Sequence, residues 1–226
     1  TDAERPAIAI GLPRAIEAAL ACTGLLVCLP VLGLAALAVL LGSRGPVLFC
    51  QSRIGRGGVP FLLYKFRTMR VNTEPAGVTG SHDARITGVG RWLRLLKLDE
   101  LPELWNVARG DMALVGPRPE VPRFVDLGNP LWRQILQARP GLTDPVTLRL
   151  RNEERLIAET GADPERFYLE VLQPYKLAGY VAYLESRSAW SDVRVLVLTL
   201  AAIIAPALTP LPTIDEITAR GRGNVP

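Results

Sequence analysis

Residues 18–41 run for 24 positions without a charge, and Pro30 falls in the middle of them. As one helix rising 1.5 Å per residue the run would reach about 36 Å, against a hydrocarbon core of about 30 Å. Length alone therefore permits a tilted membrane span. A proline inside a helix removes a hydrogen bond and clashes with the preceding turn, so the run is expected to kink there. Broken at Pro30, the arms 14–29 and 30–41 measure about 24 and 18 Å, and neither crosses alone. Arg5 and Arg14 precede the run, while Arg44, Arg53 and Arg56 follow it. Basic flanks favour the cytoplasmic side, so both ends are expected there. The sequence predicts a helix-break-helix that enters one leaflet and returns, with a simple spanning anchor as the alternative. A cleavable leader is not expected, because the run is too long and no small-residue cleavage site follows.

The remaining composition narrows the function classes. With 49% hydrophobic residues in 226 positions, the chain suits one large domain, or a domain plus an anchor. The apolar excess lies in residues 15–41 and 193–208. The second run is too short to span comfortably, and reads as a core helix or a helix lying on a membrane. A net charge of +4 suits an anionic substrate or membrane surface. No reading motif or long basic stripe points to a nucleic-acid binder. Cys22, Cys28 and Cys50 lack ligand spacing and read as small buried hydrophobes of a reducing compartment. His82 is the single histidine and reads as a surface residue. A bound metal would need oxygen ligands, favouring Mg²⁺ over Zn²⁺.

Two short apolar runs, 46–53 and 60–67, flank Gly55-Arg56-Gly57-Gly58 and predict a β-hairpin. Period-two alternation puts Lys65 and Arg67 on one strand face, and Tyr64 and Phe66 on the other. Residues 72–85 read as a polar loop. Helices are expected over 90–96, 98–107, 130–138, 152–160, 164–172 and 175–186, with 112–115 a short buried run and an irregular tail after Pro210. The predicted architecture is mainly α with a small β-hairpin (α+β). Its divisions are a membrane helix over 1–42, a catalytic domain over 43–210 and a tail over 211–226.

The chemistry gathers in the middle. Asp99 and Glu100 adjoin each other, and Pro102 follows. Such a pair commonly opens a helix, since carboxylates cap it and complement its dipole. Adjacent helical residues also point about 100° apart, so one carboxylate could attack phosphorus while the other holds a metal. Arg118 lies between Pro117 and Pro119, which restrict its backbone. A planar donor carried this way suits a phosphate, although a rigid loop facing water is the plain alternative. Asp111 could orient Arg118, Lys65 or a metal, or simply stabilise a turn.

Lys65-Phe66-Arg67-Thr68-Met69, Leu98-Asp99-Glu100-Leu101-Pro102, Gly110-Asp111-Met112, Val115-Gly116-Pro117-Arg118-Pro119 and Arg139-Pro140-Gly141-Leu142-Thr143 occur in that order. The set resembles the bacterial sugar transferases, the monotopic phosphoglycosyl transferases, in their small form. The resemblance implies an Mg²⁺-dependent enzyme of the bacterial inner membrane, with its catalytic domain on the cytoplasmic face. It would move a sugar 1-phosphate from a UDP-sugar to polyprenyl (undecaprenyl) phosphate, releasing UMP. In that family the residue matching Asp99 is the nucleophile and the one matching Glu100 binds Mg²⁺. Lys65, Arg67, Asp111, Pro117, Arg118 and Pro119 fall on its substrate-binding motifs, and Pro30 on its re-entrant helix break. Two departures stand out: Leu29 precedes Pro30 where the family often has serine, and Asp144 replaces a common glycine. The rival reading is an inactive membrane scaffold or nucleotide-sugar-binding protein. The motifs encode neither the sugar nor the oligomeric state, for which a homodimer is one option.

Overall fold

The computed structural model describes residues 11–71, 83–161, 163–205, 212–213 and 216–217. His82, most of the expected loop at 72–85 and most of the expected tail lie outside those residues.

The apolar run forms two helices, α1 (Arg14–Val27) and α2 (Leu29–Gly42), bent by 61° at Cys28. Pro30 stands in the first turn of α2, where its missing N–H is least needed. Helical bonding continues on either side of the break. Cys28 N donates to Gly24 O at 2.8 Å, and Leu32 N donates to Cys28 O at 2.8 Å. No single described helix is long and apolar enough to cross a membrane, whereas the bent pair is by length and composition. The tip is bare: Leu26, Val27 and Leu29 are all exposed. The outer ends are tied down. Glu17 is buried and pairs with Arg139 at 2.6 Å, and Arg14 donates to Ala108 O at 2.6 Å. At the far end of α2, Arg67 donates from NH1 to Ser43 Oγ at 2.7 Å and from NH2 to Ser43 O at 2.8 Å. Both ends of the bent pair therefore sit on the same globular body.

Strands β1 (Leu48–Ile54) and β2 (Pro60–Phe66) make the expected antiparallel hairpin, pairing Phe49 with Lys65 and Gln51 with Leu63. Gly57 and Gly58 take the positive φ that its turn requires. Next come α3 (Gly88–Leu95), a 3₁₀ turn (Leu98–Glu100) and α4 (Glu103–Arg109). A strand pair that the sequence reading missed follows: β3 (Ala113–Val115) runs parallel to β4 (Gly141–Thr143). Each strand spans three residues, too few for a periodic signal. Their motif glycines are now explained. A Cβ on Gly141 would stand 2.1 Å from Gly116 N, and one on Gly116 2.7 Å from Arg139 O. Only bare backbone lets the two segments cross.

The rest is helical: α5 (Pro130–Ile135), α6 (Pro145–Arg149), α7 (Glu153–Thr160), α8 (Pro164–Phe167), α9 (Gln173–Ser186) and α10 (Ala189–Ile204). A π-helical turn at Tyr168–Leu172 joins α8 to α9. The main core packs Met112, Val115, Trp132, Ile135, Leu172 and Leu184, and a smaller one joins Ala35 and Val39 of α2 to Phe66 and Leu93. Helix α10 covers residues 193–204 of the second apolar run. It buries Asp192, Val195 and Ala202, yet leaves Trp190, Leu200 and Ile204 exposed, the last at 83%. It is a half-buried helix with an apolar outer face. The cysteine expectation fails, because Cys22 and Cys50 are exposed on elements whose outer surface is itself apolar.

Candidate active site

The 3₁₀ turn carries Asp99 and Glu100 beneath β2. It starts from Lys97, whose φ of 55° places a non-glycine residue in the left-handed region. This reversal separates the turn from α3 and sets its two carboxylates against the hairpin. The sequence predicts a continuous helix over 98–107, with a helix-opening role for Asp99 and Glu100 as the structural alternative to catalysis. Instead α4 begins at Glu103, Pro102 occupies its N-cap position, and no side chain caps it. Asp99 is 8% exposed, and its Oδ1 has no hydrogen-bond partner. The plain structural reading of the pair therefore does not hold.

Lys65 and Arg118 converge on Glu100. Lys65 Nζ is 3.2 Å from Glu100 Oε1, and Arg118 NH2 is hydrogen-bonded to the same oxygen. Glu103, three residues further on, lies below them and is fully buried. Its Oε1 makes an ion pair with Lys65 Nζ at 3.1 Å and lies 4.0 Å from Arg118 NH2. Among the described residues, four buried side-chain polar atoms lack a hydrogen-bond partner. Three belong here: Asp99 Oδ1 and both oxygens of Glu103. The backbone carrying Arg118 is braced, since Pro117 O accepts from Gly141 N at 2.9 Å and Pro119 O accepts from Arg53 NH1 at 3.1 Å.

The electrostatics divide the carboxylates. Burial pushes the Asp99 carboxyl above the usual range, reinforced by Glu100 and opposed by Lys65, Lys97 and Arg94. Burial acts on Glu100 in the same direction, but Arg118 and Lys65 outweigh it and hold that carboxyl well below the usual range. For Glu103 burial wins over Lys65, and its carboxyl is raised. Adjacent acids thus have opposite protonation tendencies, the pattern expected where two carboxylates take different chemical parts.

Two expected residues stay outside the cluster. Arg67 follows β2 rather than sharing the face of Lys65, and its donors are spent on Ser43 and, from Nε, on Pro46 O at 2.5 Å. Asp111 accepts from Asn106 Nδ2 at 3.2 Å and touches neither Lys65 nor Arg118. Buried Asn106 then ties α4 to β2, accepting from Tyr64 N at 3.1 Å and donating to Leu62 O at 2.7 Å. Asp144, the second departure, is the buried N-cap of α6, accepting from Val146 N at 2.7 Å and Thr147 N at 3.0 Å. Glu103, Arg94 and Lys97 were not foreseen as site residues. For Glu103 a signal existed, since spacing of three from Glu100 is helical-neighbour spacing. Arg94, which donates to Thr68 Oγ1 at 2.9 Å and pairs with Glu154 at 2.9 Å, gave none.

The donor set fits a divalent cation shared with substrate. Among the described residues no group of three or more His, Cys, Asp or Glu could enclose a metal. Glu100 could supply one of the few protein oxygens that Mg²⁺ takes when phosphate and water complete its shell.

The family model described as bacterial sugar transferase matches residues 9–206, most of the chain. The chain belongs to the bacterial sugar transferase family. A UDP-glucose:undecaprenyl-phosphate glucose-1-phosphate transferase of Caulobacter vibrioides is 38% identical over 181 residues, which are 77% of this chain and 63% of that protein. The Escherichia coli K12 protein of the same description is 36% identical over 197 residues, 83% of this chain and 39% of its own length. The sugar transferase EpsL of Bacillus subtilis is 34% identical over 181 residues, 80% of this chain and 81% of its own. The chain thus spans less than two thirds of the Caulobacter and Escherichia relatives. All the residues of the site lie inside the matched segment.

Proposed function

We propose that this bacterial sugar transferase moves a sugar 1-phosphate from a UDP-sugar to polyprenyl phosphate through a covalent intermediate on Asp99. The observation that carries the reading is a buried carboxylate oxygen with no hydrogen-bond partner, on the residue next to Glu100 and within electrostatic reach of Lys65. A lone pair of Asp99 attacks the β-phosphorus of the donor. The bond from that phosphorus to the bridging oxygen breaks, UMP leaves with the electron pair, and the phosphosugar stays on Asp99. An oxygen of polyprenyl phosphate then attacks the same phosphorus, and Asp99 departs as a carboxylate. Lys65 and Arg118, held on β2 and on the proline-flanked segment, stabilise charge on the phosphate oxygens as it builds. Glu100 would hold Mg²⁺, which when bound supplies further charge neutralisation.

The same reading places the protein in a bilayer at the cytoplasmic face of the bacterial inner membrane. Re-entry of α1 and α2 is supported by their tying at both outer ends to one body and by the bare tip between them. The apolar outer faces of α3 and α10, with Trp92, Leu95, Trp190 and Ile204 exposed, suit the interface beside it.

The test is incubation of the full chain with UDP-glucose, UDP-N-acetylgalactosamine and undecaprenyl phosphate, measuring UMP. Turnover by the wild type is expected with one of these donors, together with a phosphosugar adduct at Asp99 by mass spectrometry. Asp99→Asn should lose about a thousandfold or more in rate. An Asp99→Asn protein that matched the wild type would remove Asp99 from the mechanism.

A further inference from the structure

Glu103 has a place in the site that the proposed reaction leaves unexplained. It is fully buried on α4, and neither of its oxygens accepts a hydrogen bond. A carboxylate has about four lone-pair positions, so Glu103, opposed in its burial by the Lys65 charge at 3.1 Å, has acceptor capacity left over. Its Oε1 faces the same two cations as Glu100 Oε1: Lys65 Nζ lies 3.1 Å from one and 3.2 Å from the other, while Arg118 NH2 bonds to Glu100 and stands 4.0 Å from Glu103. The two acids differ in freedom. Glu100 is partly exposed on a short 3₁₀ turn, whereas Glu103 is sealed into the first turn of α4. Were Glu100 to turn toward a metal ion and donor phosphates, it would give up charge that both cations now use. Lys65 and Arg118 would then stand close together with one fixed acid in reach.

We propose that Glu103 is a positioning residue, the fixed counter-charge that keeps Lys65 and Arg118 aimed into the site when Glu100 releases them. It touches neither substrate nor metal and acts through the two cations. Prealigned cations matter most where charge develops in the transition state, so the loss should fall on the chemical step more than on binding. This inference rests on the function proposed above.

The experiment compares wild type, Glu103→Gln and Glu103→Asp as full chains in detergent or nanodiscs. It measures UMP affinity by calorimetry with and without Mg²⁺, the Mg²⁺ titration midpoint, and kcat with the donor that the wild type uses. Glu103→Gln keeps the shape and removes the charge. It should lower kcat tenfold or more while UMP affinity and the Mg²⁺ midpoint stay within about threefold of wild type. Glu103→Asp, which restores the charge, should recover part of kcat. A thermal melt establishes that each variant is folded. If Glu103→Gln turns over within twofold of wild type, the inference is overturned. It is equally overturned if UMP affinity or the Mg²⁺ midpoint falls in step with kcat, which would make Glu103 a ligand. A wild type that binds no UMP overturns the underlying function and the inference with it. If Glu103→Gln does not fold, a Glu103→Asp with wild-type affinity and reduced kcat sustains the inference, and one with reduced affinity ends it.

Discussion

Two kinds of buried acid occur in this molecule, and they are finished differently. Where α1 docks, Glu17 accepts from Leu114 N at 3.2 Å and from Arg139 NH2 at 2.6 Å, so both oxygens are used. At the start of α10, Asp192 accepts from Leu12 N at 2.9 Å, from Arg187 and from the Tyr183 hydroxyl. At the candidate site, Asp99 Oδ1 and both oxygens of Glu103 lack a hydrogen-bond partner, Glu103 keeping its ion pair with Lys65 at 3.1 Å. Burial is similar in the two regions; completion is not. A satisfied buried acid is a fastener, whereas an unsatisfied one adds cost that packing elsewhere must offset. Leaving the Asp99 acceptor open makes sense if something arrives to use it, and leaving Glu103 open makes sense if the cations turn to it.

The largest expected effect concerns the fasteners. Glu17→Ala strands Arg139 and an amide at the α1 junction, and should cost about 3–5 kcal/mol in stability. Chemical denaturation in detergent micelles measures it. A cost near that of an ordinary surface change would mean that α1 is held by apolar contact alone, and the contrast would lose one side.

The next effect has the opposite sign. Asp99→Asn removes a buried charge lacking a full set of partners, so it should stabilise the protein by about 1–3 kcal/mol while abolishing turnover. Because burial raises the carboxyl of Asp99, the native state binds its proton more tightly than the unfolded chain does. The wild type should therefore match the variant best below the unfolded value of about 4 and fall behind as pH rises through the folded value. Melting temperatures compared at acid and neutral pH check this. A difference that shrank with rising pH would reverse the assignment.

How far the sequence foretold this contrast depends on the residue. The hairpin was legible because two apolar runs and a Gly-rich turn are local signals, and Pro30 announced the break at Cys28 for the same reason. Asp99, Glu100, Lys65 and Arg118 could be named from their motifs, and the fold brings Lys65 and Arg118 onto Glu100. The β3–β4 pair was not legible, because three-residue parallel strands carry no period and pair across 28 positions of sequence. Arg67 misled for a related reason. Alternation says which face a residue takes, but β2 ends at Phe66, and the next residue answers to the end of α2. Satisfaction itself is invisible in sequence: nothing in the letters separates Asp99, which accepts nothing at Oδ1, from Asp144, which is fully engaged.

That last pair gives the smallest effect and the most direct comparison. Asp144 is as buried as Asp99, and its carboxyl is likewise raised by burial, but its Oδ1 accepts from Val146 N and Thr147 N and its Oδ2 from the Thr147 hydroxyl. Asn is about as good an N-cap as Asp, and its amide can exchange donor and acceptor roles with the hydroxyl. Asp144→Asn should therefore change stability by only about 0.5 kcal/mol in either direction. The same Asp→Asn exchange thus has two expected outcomes: a gain at 99, where acceptors are open, and near neutrality at 144, where they are filled. Thermal melts of both variants at neutral pH decide it. Equal shifts at the two positions would mean that burial alone sets the cost, and that open acceptors do not distinguish the candidate site from the fasteners.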